Sequence, residues 1–259
     1  MNTLFLTPEE IADACTAAAR KKASLPIRSM LILAVFAGAF IAFGGVASVF
    51  ANTYVNRLAG AAVFPAGLAM VLVAGSELFT GNSLMFLGVL RREIRLSAML
   101  KNWLFVYLGN FLGAILVAAA AVYGGLFDGE TGTALLATAS AKSSLPFLSA
   151  LLRGILCNIL VCTAVWMAFG ARSVGGKIAG MYLPILAFVL SGFEHSVANM
   201  FYLPAGIFCA LKNGAEAISP LDALIRNLLP VTLGNIIGGA LFVAAGYFLA
   251  FRKKPEANP

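Results

Sequence analysis

The stretch Lys101-Asn-Trp-Leu-Phe-Val-Tyr-Leu-Gly-Asn-Phe-Leu-Gly-Ala-Ile-Leu116 decides the fold, because it recurs without gaps as Arg226-Asn-Leu-Leu-Pro-Val-Thr-Leu-Gly-Asn-Ile-Ile-Gly-Gly-Ala-Leu241. Eight of the sixteen positions are identical, including the Gly-Asn-x-x-Gly run that begins at Gly109 and Gly234, and a basic residue leads both copies. Internal repetition of this kind indicates that the chain consists of two related halves.

The composition around this repeat is that of a membrane protein. Of 259 residues, 61% are apolar and only 11% are charged, and the mean hydropathy is +0.92. A water-facing surface cannot accommodate so much apolar area in a chain of this length. Four stretches have no charged residue and no histidine, and each has the ~20 residues that a bilayer crossing needs. They are Ser29–Ala51, Asn102–Phe127, Gly154–Ala171 and Asn227–Phe251.

Two further apolar stretches, Leu58–Leu90 and Ile178–Leu211, are interrupted by Glu77 and by Glu194 with His195. A continuous helix of either length would reach roughly 50 Å, whereas the hydrocarbon core is about 30 Å thick. We therefore expect each helix to be broken near its polar residues, because such breaks persist where protein or a water-filled cavity satisfies the backbone. Glycines that suit a break are Gly75, Gly81 and Gly192.

The chain then has six crossings, and the two repeat copies lie in the third and sixth. Three crossings per half is an odd number, so the halves are inverted relative to each other. The sequence predicts an all-α integral membrane protein of two inverted three-helix repeats, about 29–127 and 147–251, with the second and fifth helices broken. Residues 1–28 form an N-terminal amphipathic helix and lead-in, 29–251 the membrane domain, and 252–259 a tail.

Basic residues orient this arrangement. Thirteen lie on the side that holds both termini and five on the other, which predicts cytoplasmic termini. The thirteen are Arg20, Lys21, Lys22, Arg28, Arg91, Arg92, Arg95, Lys101, Arg172, Lys177, Arg252, Lys253 and Lys254, and the five are Arg57, Lys142, Arg153, Lys212 and Arg226. The net charge of +7 therefore reflects topology and contact with anionic lipid rather than binding to nucleic acid.

Outside the predicted spans, Thr7-Pro8-Glu9-Glu10 predicts the start of a short amphipathic helix that carries Ile11, Ala14 and Cys15. Its acids precede the basic cluster and no apolar core leads to a cleavage site, so we expect an attached interfacial or subunit-contacting helix and not a signal peptide. The chain's cysteines have no metal-ligand partners and are interpreted as small buried apolar residues, with no metal or cofactor. They are Cys15, Cys157, Cys162 and Cys209.

The decapeptide Ser191–Met200 contains the single histidine of the chain, His195, near the predicted middle of the membrane. Ionisable residues are costly at that depth, so function is the default interpretation, and paired broken helices in inverted repeats predict a transport site. Glu77 and Glu194 are interpreted instead as caps of half-helices or partners of backbone amides. The Gly-Asn-x-x-Gly pairs are interpreted as small residues that let the third and sixth helices approach closely, with the asparagines bonded across the interface.

Four segments together resemble the formate/nitrite transporter family, and the likeness runs from about Thr7 to Phe251. They are Glu77–Asn82, Asn158–Met167, Ser191–Met200 and Pro230–Gly239. The resemblance implies an aquaporin-like six-helix protomer and a homopentamer with one pore per protomer. It also implies passage of small monovalent anions such as formate, nitrite or hydrosulfide through a bacterial inner membrane, and no enzymatic activity.

The resemblance also assigns roles to residues. It places His195 at the pore centre, with Thr80 facing it and Asn158 in the chamber, and Lys142 in the vestibule. The cytoplasmic slit is formed by Leu78, Phe79 and Val161, and the periplasmic slit by Phe64, Leu68 and Phe188. Structural roles at the breaks fall to Glu77, Glu194 and Asn199. A bare anion enters an apolar constriction at high cost, which falls if it crosses as the neutral acid.

Three functions remain to be compared. An anion channel or permease in which His195 controls protonation is favoured, with formate preferred because Lys101–Leu116, Gly170-Ala-Arg-Ser173 and Pro230–Gly239 are most similar to formate channels. Nitrite and hydrosulfide remain alternatives. A neutral-solute pore is a second candidate, but this sequence has neither the paired Asn-Pro-Ala motifs of aquaporins nor the second pore histidine of ammonium channels. A membrane enzyme is the third, but the sequence has no metal-ligand cluster and no nucleophile paired with a base.

Overall fold

The computed structural model describes residues 4–251. Six of its helices are long and apolar enough to cross a membrane, as predicted. They are α2 (Ile27–Tyr54), α3 (Arg57–Ala74), α5 (Leu96–Tyr123), α7 (Phe147–Gly170), α8 (Val174–Ser191) and α10 (Pro220–Ala250). The other helices in the described range are α1 (Pro8–Ala23), α4 (Gly81–Leu90), α6 (Glu130–Ser143) and α9 (Ser196–Lys212). That range contains no strand, and the predicted tail at 252–259 lies outside it.

Two pairs of helices occupy the stretches that are too long for one crossing. Helices α3 and α4 cover the first, and α8 and α9 cover the second. Helix α3 is followed by Gly75 (φ +81°) and α8 by Gly192 (φ +72°), left-handed conformations that a side chain disfavours. Gly81 differs from the expectation, because it begins the 3₁₀ turn that opens α4 and its φ is not positive.

The glycines of the repeat bring helices into close contact within each half. A Cβ at Gly113 of α5 would meet the Val35 carbonyl oxygen of α2, and a Cβ at Gly238 of α10 would meet the Ile155 carbonyl oxygen of α7. The third span therefore packs tightly on the first, and the sixth on the fourth. The third and sixth spans are linked to each other by a hydrogen bond of 3.1 Å between the hydroxyls of Tyr107 and Thr232.

The predicted N-terminal helix is present as α1. Thr7 and Glu10 form a capping box at its start, because each side chain bonds the other residue's backbone N–H. Ile11 and Cys15 are buried on its inner face against Trp166 and other apolar residues of the membrane domain. Burial raises the pKa of the Cys15 thiol, so this cysteine is held as an apolar residue. We call the side of the molecule that carries α1 the terminal face.

The outer surface of the spans is apolar, as lipid contact requires. Helix α5 shows this most regularly, since Leu100, Leu104, Leu108, Leu112 and Leu116 are each between 50% and 56% exposed. Spacing by four places these leucines on one side of the helix. The polar residues of the same helix, such as Asn102 and Asn110, are fully buried on the other side.

Candidate functional site

The two non-helical links, 75–80 and 192–195, meet inside the protein. Thr80 ends the first link and His195 ends the second, and Thr80 Oγ1 lies 2.8 Å from His195 Nε2. The Thr80 side chain is fully buried and His195 is 3% exposed. The structure thus brings together the two residues that the resemblance placed at the pore centre.

The geometry of His195 defines which ring nitrogen carries the proton of the neutral imidazole. The backbone N–H of Ala198 donates to His195 Nδ1 at 3.0 Å, so Nδ1 is an acceptor and His195 is the N-cap of α9. The remaining nitrogen, Nε2, then carries the hydrogen and donates it to Thr80 Oγ1. The Thr80 hydroxyl hydrogen is left to bond another partner.

Asn110 of the repeat holds the first link in place. Its Oδ1 accepts the backbone N–H of Phe79 at 2.9 Å, and its Nδ2 donates to the carbonyls of Ala34 at 2.7 Å and Glu77 at 2.9 Å. One side chain therefore satisfies two backbone groups of the non-helical link and also bonds a carbonyl of the neighbouring helix α2.

Asn235, the second copy, does the same for the other link. Its Oδ1 accepts the N–H of Ser196 at 2.9 Å, and its Nδ2 donates to the carbonyls of Gly154 at 2.8 Å and Glu194 at 3.0 Å. The prediction that these asparagines bond across the interface of the third and sixth helices is wrong, because they bond backbone groups at the links and of α2 and α7. Their equivalent positions in the repeat were the available signal that they act alike.

Glu77 lies in a buried polar cluster next to the first link. Its carboxylate accepts from Lys22 Nζ at 2.6 Å and from Asn82 Nδ2 at 2.7 Å, and Asn102 Nδ2 lies 3.4 Å away. We call these four residues the Glu77 cluster. The expectation that Glu77 caps a half-helix or binds backbone amides is not met, because its hydrogen-bond partners are side chains.

Glu194 has a matching cluster next to the second link. Its carboxylate oxygens accept from Lys142 Nζ at 3.0 and 3.1 Å, from Asn199 Nδ2 at 2.6 Å and from Asn227 Nδ2 at 3.3 Å. We call these four residues the Glu194 cluster. Here too the partners are side chains and not the expected backbone amides, and His195 supplies the cap of α9 instead.

A cavity of about 580 Å³ opens on the face opposite the terminal face and reaches His195. Phe64 and Phe188, both predicted for one slit, line it, and their rings meet edge to face at 5.7 Å between centroids. The predicted vestibule residue Lys142 also lines this cavity. So do Arg57, Arg153 and Tyr202, which the sequence analysis did not assign to the site.

Two cavities lie on the side of the terminal face. The larger, about 310 Å³, is lined by Lys21, Lys22, Glu77 and Lys177. The smaller, about 70 Å³, is lined mostly by apolar residues, including Leu78 and Leu68. These two leucines were predicted for opposite slits, yet they line the same small space.

The other predicted site residues are buried nearby. Phe79 packs edge to face on Tyr107 at 5.0 Å between centroids, and Val161 is 1% exposed. Asn158 Nδ2 donates to the Thr80 carbonyl at 3.2 Å and to the Asn235 carbonyl at 2.6 Å, so it joins the two halves. Its Oδ1 is buried and has no hydrogen-bond partner within residues 4–251.

Known proteins are similar to this chain in sequence and in fold. The formate/nitrite transporter family profile matches residues 9–249. A formate channel of Bacillus thuringiensis, BtFdhC, is 40% identical over 96% of this chain and 97% of its own. A solved structure titled as an FNT family ion channel is 31% identical, with a TM-score of 0.85 over 95% of this chain and 99% of that chain.

A second solved structure is titled as a pentameric formate channel with formate bound. It is 34% identical, and its TM-score is 0.77 over 88% of this chain and 98% of that chain. The family match covers nearly the whole chain, and the residues around Thr80 and His195 lie inside the matched range. The chain is therefore a multi-pass membrane protein that belongs to the formate/nitrite transporter family.

Proposed function

We propose that this protein is a channel or permease that passes small monovalent weak-acid anions, with formate as the favoured substrate. The observation that carries the proposal is the buried contact between Thr80 and His195, at the inner end of a cavity with basic residues at its wall. The relatives named as formate channels support formate as the substrate. Nitrite and hydrosulfide are the alternatives within the same family.

The fold that we propose is aquaporin-like, with two inverted repeats and with the second and fifth membrane helices broken at the links. The equivalent bonds of Asn110 and Asn235 support this, because residues at matching repeat positions hold matching backbone groups. The Glu77 and Glu194 clusters support it as well, since each joins one lysine, one glutamate and two asparagines in the same way. Inverted repeats place a substrate site at their interface.

The proposed mechanism follows from the apolar walls beside the central pair. We assign Phe64 and Phe188 to one constriction and Leu78, Phe79 and Val161 to the other. Leu68, which was predicted for the first, lines the small cavity together with Leu78. A charged solute loses its hydration there, so passage favours the neutral acid. His195 presents Nε2–H to Thr80 and orders the hydroxyl, and this pair, directly or through an ordered water, controls the protonation of the solute. Asn158 lies against Thr80 as a further lining residue of this chamber.

We also propose the setting of the channel. The excess of basic residues on the terminal face supports cytoplasmic termini and a bacterial inner membrane. The pentameric relative supports a homopentamer with one pore per protomer. A neutral-solute pore is a weaker candidate, because basic groups that have no carboxylate partner within residues 4–251 line the cavities and favour anions over uncharged solutes.

The first prediction tests the substrate and the histidine together. Labelled formate uptake is measured in proteoliposomes that contain the wild-type protein, His195→Ala or the control Gly246→Ala, whose added methyl meets no atom within 4 Å. We expect wild-type and control uptake to agree, and His195→Ala to lose about tenfold or more at neutral pH together with a changed pH dependence. No uptake by the wild type would exclude a formate channel. Equal uptake and equal pH dependence in His195→Ala would exclude the histidine mechanism.

A further inference from the structure

We propose that Arg57 and Arg153 form a binding site for planar two-oxygen anions in the 580 Å³ cavity, and that this site sets the preference of the channel for formate and nitrite over anions without that shape. The inference rests on the proposed function, because it concerns the anions that enter the pore. It assigns specificity to two arginines that line the same cavity as the central histidine.

The net charge of the cavity comes from these arginines and not from the lysine. Lys142 Nζ bonds both carboxylate oxygens of Glu194, at 3.0 and 3.1 Å, so its charge is already compensated inside the protein. Neither Arg57 nor Arg153 has a carboxylate within 4.0 Å among residues 4–251. Two uncompensated positive charges therefore remain at the cavity wall.

Both arginines adjoin the segment that leads to His195. An Nη atom of Arg57 lies 3.2 Å from the position that a Cβ of Gly192 would occupy. The Arg153 carbonyl accepts the N–H of Glu194 at 3.3 Å. Both residues line the cavity that reaches His195, so an anion bound at their guanidinium groups would lie in the same cavity as the histidine.

The position of Arg57 gives no benefit to its own helix. It is the first residue of α3, where the helix dipole favours an acidic side chain and disfavours a cation. Both arginines are exposed, which indicates a use other than the stability of their own helices. Binding of an anion from solution explains the presence of these two cations at the cavity wall.

The chemistry of the guanidinium group predicts selectivity. Its planar pairs of N–H donors match an anion that has two oxygens on one atom, as formate and nitrite do, whereas an ammonium group acts as a point charge. Hydrosulfide has a single acceptor atom and gains only from charge. The cavity on the terminal face is lined instead by Lys21 and Lys177, which provide charge without this geometry.

The experiment measures the concentration dependence of uptake from the medium by bacterial cells that lack their own anion channels and express the full chain. Formate, nitrite and hydrosulfide are the probes. The variants are Arg57→Gln with Arg153→Gln, and Arg57→Lys with Arg153→Lys. The matched control is Lys21→Gln with Lys177→Gln, which removes the same number of charges from the other cavity. Membrane content and oligomer size of each variant are measured alongside.

We expect the glutamine pair to raise the apparent KM for all three anions by about fivefold, with little change in maximal rate and less effect at high ionic strength. The lysine pair should restore the KM for hydrosulfide but not for formate or nitrite. Full restoration of all three by lysine would reduce the site to a charge effect and overturn the proposed selectivity. An unchanged KM in the glutamine pair, or a rise only in the control, would overturn the site itself, whereas absence of wild-type uptake would refute the proposed function.

Discussion

Two asparagines allow the chain to leave its helical conformation inside a membrane domain. A break in a membrane helix leaves backbone groups that lipid cannot bond. Asn110 and Asn235 each bond two backbone groups at a non-helical link and one carbonyl of a neighbouring helix, and both are fully buried. The position of the Thr80–His195 contact therefore depends on amide side chains that do not themselves take part in it.

Replacement of Asn235 by alanine should destabilise the protein strongly. The change leaves the Ser196 N–H and the Glu194 carbonyl without this partner and removes the bond to the Gly154 carbonyl of α7, and we expect a loss of about 3 kcal/mol. The measurement is unfolding in detergent, compared with the wild type. The control is Asn213→Ala, which removes the amide of an exposed residue at the end of α9 and should cost about 1 kcal/mol or less. Equal losses in the two variants would contradict the role of Asn235.

Sequence reasoning succeeded for these residues only in part. The repeat identified Asn110 and Asn235 as equivalent, and the polar interruption identified His195. Neither signal could identify the lysine partners of Glu77 and Glu194, because Lys22 and Lys142 lie 55 and 52 residues away from them in the chain. Distance along the sequence carries no information about which lysine reaches a buried acid. Arg57 and Arg153 were counted as loop charges for the same reason.

At the scale of helices, the apolar stretches fixed the number of spans, while small residues fixed how the helices pack. The repeat predicted that the third and sixth helices approach each other closely through their glycines, which is wrong for the glycine contacts. The structure gives α2 as the neighbour of α5 and α7 as the neighbour of α10. Each pair is close because glycine leaves room for a carbonyl oxygen of the neighbouring helix.

A methyl group added at Gly238 should force α10 away from α7. Its Cβ would overlap the Ile155 carbonyl oxygen, which belongs to backbone and cannot turn aside. We expect Gly238→Ala to lower the free energy of unfolding by about 2 kcal/mol or more. The matched substitution Gly246→Ala lies on the same helix with no atom within 4 Å of the added group, and it should be neutral or stabilising by up to about 1 kcal/mol. Comparable melting temperatures for the two variants would refute the packing argument.

The whole molecule combines internal similarity with a difference between its two faces. The Glu77 cluster lies towards the terminal face and the Glu194 cluster towards the opposite face, and their bonding patterns match. The basic residues around them do not match, because only lysines line the cavity on the terminal face, whereas two arginines accompany Lys142 at the other. The frame of the protein is therefore similar in the two halves, while the groups that meet the solute first differ.

Charge-pair substitutions in the two halves test this equivalence. Glu194→Gln or Lys142→Met alone leaves a mostly buried group without its partner, so each should cost about 3 kcal/mol. The double variant removes both charges and should cost clearly less than the sum of the single changes. Lys22→Met and Glu77→Gln should behave in the same way in the first half, because Lys22 Nζ lies 2.6 Å from Glu77 Oε1. Double-mutant cycles on unfolding measure both couplings. Additive effects would show that the pairs are not coupled, and coupling in one half only would show that the two clusters are not equivalent.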